Sequence, residues 1–294
     1  MNIAAHRAQP GEPSAAPSLL YRDTPNRAIV VDGTVFAYRD LGPCGGVPVL
    51  VLNYWGGTLD DMDPSIVDGL AQSRRVIVAD YRGIGGSGGT APLTIAAMAH
   101  DMIALIGSLG IAQVDLLGTS FGGFVAQDIV RQAPQCVRKL ILASSGPAGG
   151  AGIDKVGAIS LPQILKGALT RRDPKYFLFF TASQRGRHAA TAFLDRLAER
   201  TQHRDKPLSP RAFWRQLQVI KAWARQPAQD LTRFTMPVLI TAGDHDRLVP
   251  PVHSAALARR IPHAQLIVYQ DAGHGAAFQY HAAFVASVLA FLDR

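Results

Sequence analysis

The chain has 294 residues, of which 48% are hydrophobic and 18% are charged, and its formal net charge is +8. This composition predicts a globular protein with a large core and excludes disorder for most of the chain. The most apolar segment, 102–114, is interrupted by glycines and is shorter than the roughly 20 residues of a membrane-spanning helix, so we predict no membrane span. The two cysteines are too few for a disulfide framework and are typical of a cytoplasmic protein.

Residues 1–21 are rich in Ala, Pro and Ser and lack the apolar segment of a signal peptide, which predicts a mobile N-terminal tail. A β-hairpin is predicted after it, because two strand-like segments, 28–31 and 34–38, flank the turn pair Asp32-Gly33.

Short apolar segments then alternate with amphipathic segments. The apolar segments contain no alternating polar residues, as is typical of strands covered on both faces, and they span 47–52, 76–79, 114–117, 140–143, 238–241 and 266–269. Amphipathic helices are predicted between them, for example at 94–109, 121–133 and 252–261. This alternation predicts an α/β fold with a mostly parallel, doubly wound sheet. In such sheets the active-site side chains lie beyond the carboxyl ends of the strands.

The alternation is interrupted once, between about residues 149 and 230. This segment has only helix-like patterns, including a strong helix start at Ser209-Pro210, so we predict a helical insertion over the strand ends. Residues 151–230 also hold 15 Lys+Arg against 6 Asp+Glu, which is the whole basic excess of the chain. One interpretation is a solvated helical face, and the other is attraction for an anionic substrate. No nucleic-acid-binding motif accompanies the charge, so no nucleic-acid partner is predicted.

The pattern G-x-S-x-G occurs twice, at 85–89 and at 118–122. A nucleophilic serine of this kind needs a strand directly before it and a helix directly after it. Ser120 has both, whereas Ser87 is followed by two glycines and then Pro92. Ser120 is therefore the predicted nucleophile, and Ser87 is interpreted as part of a tight turn.

Two further patterns are interpreted as structural. Gly83–Gly88 matches G-x-G-x-x-G, but no helix begins at once behind it, so we predict no dinucleotide cofactor. Asp244 and His245 are neighbours that could bind a metal ion, but no third ligand has a suitable spacing. We therefore predict neither a cofactor nor a metal.

A nucleophilic serine needs a histidine to take its proton and a carboxylate to orient that histidine. Among the histidines beyond the insertion and outside the acid loop at 242–246, His274 is the one that follows the carboxyl end of a strand. Asp244 and Asp246 both follow the strand at 238–241, and either could be the acid. The order along the chain is then Ser, Asp, His.

These residues resemble the α/β-hydrolase superfamily, and the resemblance runs from about Thr24 to the C-terminus. It rests on the three motifs Gly118–Gly123, Gly243–Pro250 and Gly273-His274. The second motif is similar to the family pattern G-x-x-D-x-x-V-P, which selects Asp246 as the acid. The resemblance implies a capped hydrolase of the esterase and lactonase type, with a core of residues 22–148 and 231–294 and a helical cap at 149–230.

One segment departs from the family pattern. After the third strand the family has His-Gly followed by an oxyanion-hole residue, and this chain has Asn53-Tyr54-Trp55. Matched by position, the backbone N–H groups of Trp55 and Phe121 are the expected oxyanion donors. The phenol of Tyr54 is an alternative first donor.

The resemblance implies a serine hydrolase that cleaves a carboxylic ester or lactone through an acyl-enzyme intermediate. Similar triads also serve C–C bond hydrolases and perhydrolase-type haloperoxidases, and the same fold occurs in binding proteins without turnover. We expect a small-molecule substrate, apolar and anionic, that contacts Tyr54, Trp214 and Trp223. The competing interpretation is that the aromatic residues of the insertion only pack it onto the core. The sequence leaves the oligomeric state open.

Overall fold

The computed structural model describes residues 19–294. The predicted tail, 1–21, lies outside the described residues except for its last three. Tyr21 is buried, and its hydroxyl donates a hydrogen bond to the carbonyl of Leu59. This side chain therefore belongs to the core rather than to a tail.

A single eight-stranded sheet forms the centre of the molecule, in the order β1-β2-β4-β3-β5-β6-β7-β8. The strands are β1 (Arg27–Val31), β2 (Thr34–Leu41), β3 (Val49–Leu52), β4 (Val76–Ala79), β5 (Val114–Thr119), β6 (Val137–Ala143), β7 (Val238–Gly243) and β8 (Gln265–Tyr269). β1 and β2 form the predicted hairpin, and β2 also pairs antiparallel with β4. All other pairs are parallel, which confirms the predicted α/β fold with a mostly parallel sheet.

Every residue of β3, β4, β5 and β7 is buried. Because successive side chains of a strand point to opposite faces, both faces of the central sheet are covered. The helices are α1 (Pro64–Ala71), α2 (Ile95–Ser108), α3 (Phe121–Gln132), α4 (Val156–Thr170), α5 (Lys175–Leu178), α6 (Gln184–Ala198), α7 (Pro210–Arg225), α8 (Pro251–Arg260), α9 (Ala276–Gln279) and α10 (His281–Leu292). α2 packs against α3, and α1 against α10. None of the helices within residues 19–294 is long and apolar enough to cross a membrane.

The helices α4 to α7 lie between β6 and β7. The connecting residues 144–237, all of which the structure describes, contain no strand. α7 begins where Ser209 Oγ accepts a hydrogen bond from the N–H of Ala212, with Pro210 in the first turn, as the sequence predicts. Its buried side chains Leu217, Ile220 and Trp223 recur every three residues and so form one apolar face.

Candidate active site

Ser120 sits between the last residue of β5 and the first residue of α3. Its φ of 53° and ψ of −114° are strained for a residue with a side chain, and its N–H is fixed to the carbonyl of Ala143 at 2.8 Å. The turn requires glycine beside it. A Cβ atom on Gly122 would lie 2.1 Å from the carbonyl oxygen of Leu52, and one on Gly118 would lie 2.6 Å from the carbonyl oxygen of Gly122. The local sequence thus forces a sharp turn that presents the serine hydroxyl at the edge of the sheet.

Three predicted side chains meet at this edge. His274 Nε2 lies 2.8 Å from Ser120 Oγ, and His274 Nδ1 lies 2.7 Å from Asp246 Oδ2. All three residues are buried. The contacts join residues 154 and 28 positions apart in the chain, because β5, β7 and β8 are neighbours or near neighbours in one sheet.

The two candidate acids have different surroundings. Asp246 Oδ1 accepts hydrogen bonds from the backbone N–H groups of Leu248 and Val249, at 2.9 and 3.0 Å. These bonds fix the carboxylate so that its other oxygen faces His274. Asp244 instead contacts the exposed ring of His245, at 2.7 Å. Of the two aspartates, Asp246 is the one that the structure brings to His274.

The backbone N–H groups of Trp55 and Phe121 are the predicted oxyanion donors. Within residues 19–294 neither of them donates to a protein acceptor. The Tyr54 phenol is occupied, because its hydroxyl donates to the carbonyl of Asp61 at 2.7 Å. Burial raises the pKa of Tyr54 well above its usual value, so the phenol stays protonated. The geometry therefore favours Trp55 over Tyr54 as an oxyanion donor.

The insertion holds the Trp55 loop in place. The Trp55 indole stacks on Phe213, with ring centroids 4.4 Å apart, and its Nε1–H donates to the Phe213 carbonyl at 3.1 Å. The next N–H, of Gly56, donates to the buried side chain of Gln216 at 2.9 Å. Sequence reasoning did not identify Gln216. The available signal was a polar residue beside the apolar stripe of α7.

A cavity of about 480 Å³ opens onto Ser120 and His274. Its lining is mostly apolar and comes largely from the insertion. The main apolar and aromatic lining residues are Tyr54, Trp55, Phe124, Val156, Leu161, Ile164, Leu178, Phe179, Leu208, Phe213, Trp214, Ile220, Leu248 and Val249. Of the predicted substrate contacts, Tyr54 and the half-exposed Trp214 line this cavity. Trp223 does not, because it is buried behind Phe124 and stacks on it, with ring centroids 5.3 Å apart.

Charge is almost absent from the lining of this apolar cavity. Its one cationic residue, Lys175, lies 2.9 Å from Asp61 and 3.0 Å from Asp173, so its charge is already compensated. None of the insertion's arginines lines the cavity. The basic excess of the insertion is therefore not directed at the space next to Ser120.

The other G-x-S-x-G serine, Ser87, is bonded to the backbone. Ser87 Oγ donates to the carbonyl of Asp80 at 3.1 Å and accepts from the N–H of Ala37 at 2.9 Å. Both bonds are to backbone groups, so the hydroxyl ties the glycine loop, residues 83–89, to β2 and to the end of β4. Over residues 19–294 there is no group of three or more His, Cys, Asp or Glu side chains that could hold a metal ion.

Comparison with known proteins identifies the family. Residues 47–279 match the model of the alpha/beta hydrolase fold, and the chain belongs to this family of hydrolases. A solved alpha/beta hydrolase fold protein from Chitinophaga pinensis is 34% identical, with a TM-score of 0.88 over 94% of this chain and 99% of that one. The resemblance inferred from the sequence is thereby confirmed.

Two curated relatives carry names that describe a reaction. A poly(3-hydroxyalkanoate) depolymerase from Ectopseudomonas oleovorans is 28% identical over 77% of this chain and 77% of its own length. A putative carbamate hydrolase, RutD, from Caulobacter sp. is 29% identical over 74% of this chain and 81% of its own length. The first name describes the depolymerisation of a poly(3-hydroxyalkanoate), and the second describes the hydrolysis of a carbamate.

Proposed function

We propose that this protein is a serine hydrolase that cleaves a carboxylic ester or lactone through an acyl-enzyme intermediate. Ser120 is the nucleophile, His274 is the general base and acid, and Asp246 orients the imidazole. The observation that carries the proposal is the chain of short contacts from Asp246 through His274 to Ser120 Oγ, at 2.7 and 2.8 Å.

The reaction has two steps. Ser120 Oγ attacks the substrate carbonyl carbon while its proton passes to His274 Nε2. His274 then gives that proton to the leaving oxygen as the C–O bond breaks. Water attacks the acyl-enzyme in the same way, and its proton returns through His274 to Ser120 Oγ as the carboxylic acid leaves. The N–H groups of Trp55 and Phe121 donate to the oxyanion in both steps, and one such donor contributes about 3 kcal/mol.

The substrate that fits this site has an apolar acyl group. The cavity beside Ser120 has aromatic and aliphatic walls, and its single cation, Lys175, is paired. Burial of such a group contributes roughly 25 cal/mol per Å² of apolar area. Tyr54 and Trp214 are the proposed aromatic contacts. The names of the two curated relatives support an acyl-transfer reaction on a carboxyl derivative.

The segment 149–230 acts in this proposal as a cap that sets substrate choice. It contributes most of the cavity lining, and through Phe213 and Gln216 it also holds the loop that carries the Trp55 N–H. Substitutions in the cap are therefore expected to change both substrate preference and the rate of the chemical step.

The intact mass of the protein after exposure to a fluorophosphonate tests this proposal. We expect one adduct on the wild-type protein, none on Ser120→Ala, and one on folded Ser87→Ala, which is the matched control. An adduct of unchanged yield on Ser120→Ala, or no adduct on the wild-type protein, would contradict the assignment. Esters, lactones and vinylogous diketones then distinguish acyl transfer from C–C bond hydrolysis.

A further inference from the structure

A second cavity, of about 630 Å³, reaches the same histidine from another side. Leu178, Leu248 and His274 line both cavities, so the two cavities adjoin at these three residues. Ser120 lines only the first, apolar cavity. The second cavity therefore adjoins the proton donor of the proposed reaction and not its nucleophile.

The second cavity is lined by three cationic side chains, Lys166, Arg187 and Arg247. None of them has a carboxylate within 4.0 Å in the part of the chain that the structure describes. The Lys166 ammonium lies 4.5 Å above the ring of Phe177, and the Arg187 guanidinium donates to the carbonyl of Ala182. Phe177 and Ala182 also line this cavity, so both charged groups lie at its wall.

Among residues 19–294 a single carboxylate lines this second cavity, and it offsets only part of that charge. Asp246 is its one acidic lining residue, and its oxygens are held by His274 and by two backbone N–H groups. His245 lines the cavity as well, but its ring is paired with the Asp244 carboxylate at 2.7 Å, so the three cations carry the positive charge. The cavity thus presents an excess of positive charge to whatever enters it.

The position of the leaving group connects this charge to the reaction. In the proposed mechanism the acyl carbon is bound to Ser120, and the leaving oxygen must lie within reach of His274 Nε2 to receive its proton. The part of the substrate beyond that oxygen therefore extends from the His274 side of the site, where the cationic cavity begins. The acyl part stays in the apolar cavity with Ser120.

We propose that the cavity of Lys166, Arg187 and Arg247 binds an anionic leaving group. This inference rests on the proposed function and specifies its substrate class, which is an ester of an apolar acid with an alcohol that bears a carboxylate. The same argument disfavours esters whose acyl part carries the charge, because Lys175, the one cation that lines the first cavity within residues 19–294, is already paired with Asp61 and Asp173.

Two matched esters test the proposal, namely the hexanoyl esters of 4-hydroxyphenylacetate and of 4-hydroxyphenylacetamide. They differ only in the charge of the leaving group, and the methylene group keeps the reactivity of their phenols similar. We expect kcat/KM to be at least fivefold higher for the anionic ester. Because the cations are exposed at the cavity wall, this preference should decline as ionic strength rises.

Removal of the charges gives the second arm of the test. The triple variant Lys166→Gln, Arg187→Gln, Arg247→Gln should lower the anionic-to-neutral ratio of kcat/KM about fivefold, and Arg247→Gln alone should lower it in part. Lys221→Gln is the matched control, since Lys221 belongs to the same insertion but lines neither cavity, and it should keep the ratio.

Equal turnover of the two esters by the wild-type protein would overturn this inference and leave the proposed function intact. The inference would also be overturned if Lys221→Gln lowered the anionic-to-neutral ratio of kcat/KM as much as the triple variant does. Turnover of neither ester would also overturn it. Fluorophosphonate labelling of Ser120 would then show whether the proposed serine-hydrolase function fails together with this inference.

Discussion

The two G-x-S-x-G segments of this chain share a pattern and have opposite structures. Ser120 stands between a strand and a helix with a positive φ, and its hydroxyl faces His274. Ser87 lies in a glycine loop, and its hydroxyl is bonded to the backbone of Ala37 and Asp80. The flanking elements, and not the pentapeptide, therefore determine whether the serine hydroxyl faces a histidine or is bonded to the scaffold.

Replacing the two serines by alanine should affect turnover very differently. Ser120→Ala should lower kcat by about 10⁶-fold, as expected when a serine nucleophile that acts together with its general base is lost. Ser87→Ala removes two hydrogen bonds to the backbone, which costs about 1–3 kcal/mol of stability, but kcat of the folded protein should stay within about threefold. Ester turnover, measured with circular dichroism to verify folding, checks both. Comparable losses of kcat in the two variants would contradict the contrast.

The glycines of the two segments also differ, in the space that surrounds them. Gly122→Ala would place a methyl group 2.1 Å from the Leu52 carbonyl oxygen, just before the loop that carries the Trp55 N–H. We expect a loss of about 3 kcal/mol in the free energy of unfolding and about 10²-fold in kcat, because the backbone itself must move.

Gly88→Ala is the matched change in the other segment. Its new methyl group would meet nothing closer than 3.7 Å, and its φ is not in the left-handed region. Stability should change by less than about 0.5 kcal/mol. Urea unfolding and kcat measure both variants. If Gly88→Ala proved as damaging as Gly122→Ala, the glycine loop would have a constraint beyond the contacts described.

Much of this fold could be predicted because the signals are local. The buried runs of Val, Ile and Leu identify the parallel strands, and the glycines around Ser120 specify the sharp turn. His274 and Asp246 could be placed at the same edge because the carboxyl ends of parallel strands meet there.

The features that were missed depend on contacts between distant segments. Gln216 bonds to Gly56, 160 positions away, and no local pattern encodes that pairing. The burial of Trp223 behind Phe124 and the opening of a second cavity at His274 likewise arise from how the insertion packs on the core. Helical periodicity predicts which face of a helix is buried, but not the surface against which that face packs.

Two carboxylates lie against the glycine loop around Ser87. The carboxylates of Asp80 and Asp205 approach each other across Gly85, where one Cβ atom would lie 2.2 Å from an oxygen of each. Burial, and then the hydrogen bond with Asp205, raise the pKa of Asp80 well above its usual value. Since Asp205 belongs to the insertion, this pair joins the insertion to the end of β4.

The smallest expected effect is therefore on the pH dependence of stability. An acid whose pKa is higher in the folded state binds its proton more tightly there, so the free energy of unfolding should fall as pH rises from about 4, the unfolded pKa of Asp, to the raised pKa of Asp80.

Asp205→Asn keeps an acceptor for the Leu59 N–H, removes the like charge and offers an amide donor to Asp80. The decline should become shallower, and Tm at pH 8 should rise by about 2 °C. Calorimetry at pH 5 and pH 8 measures this, with the exposed Asp195→Asn as the control. A decline as steep in Asp205→Asn as in the wild-type protein would mean that Asp80 is held protonated by burial alone, and the pair would then not be the link between insertion and core.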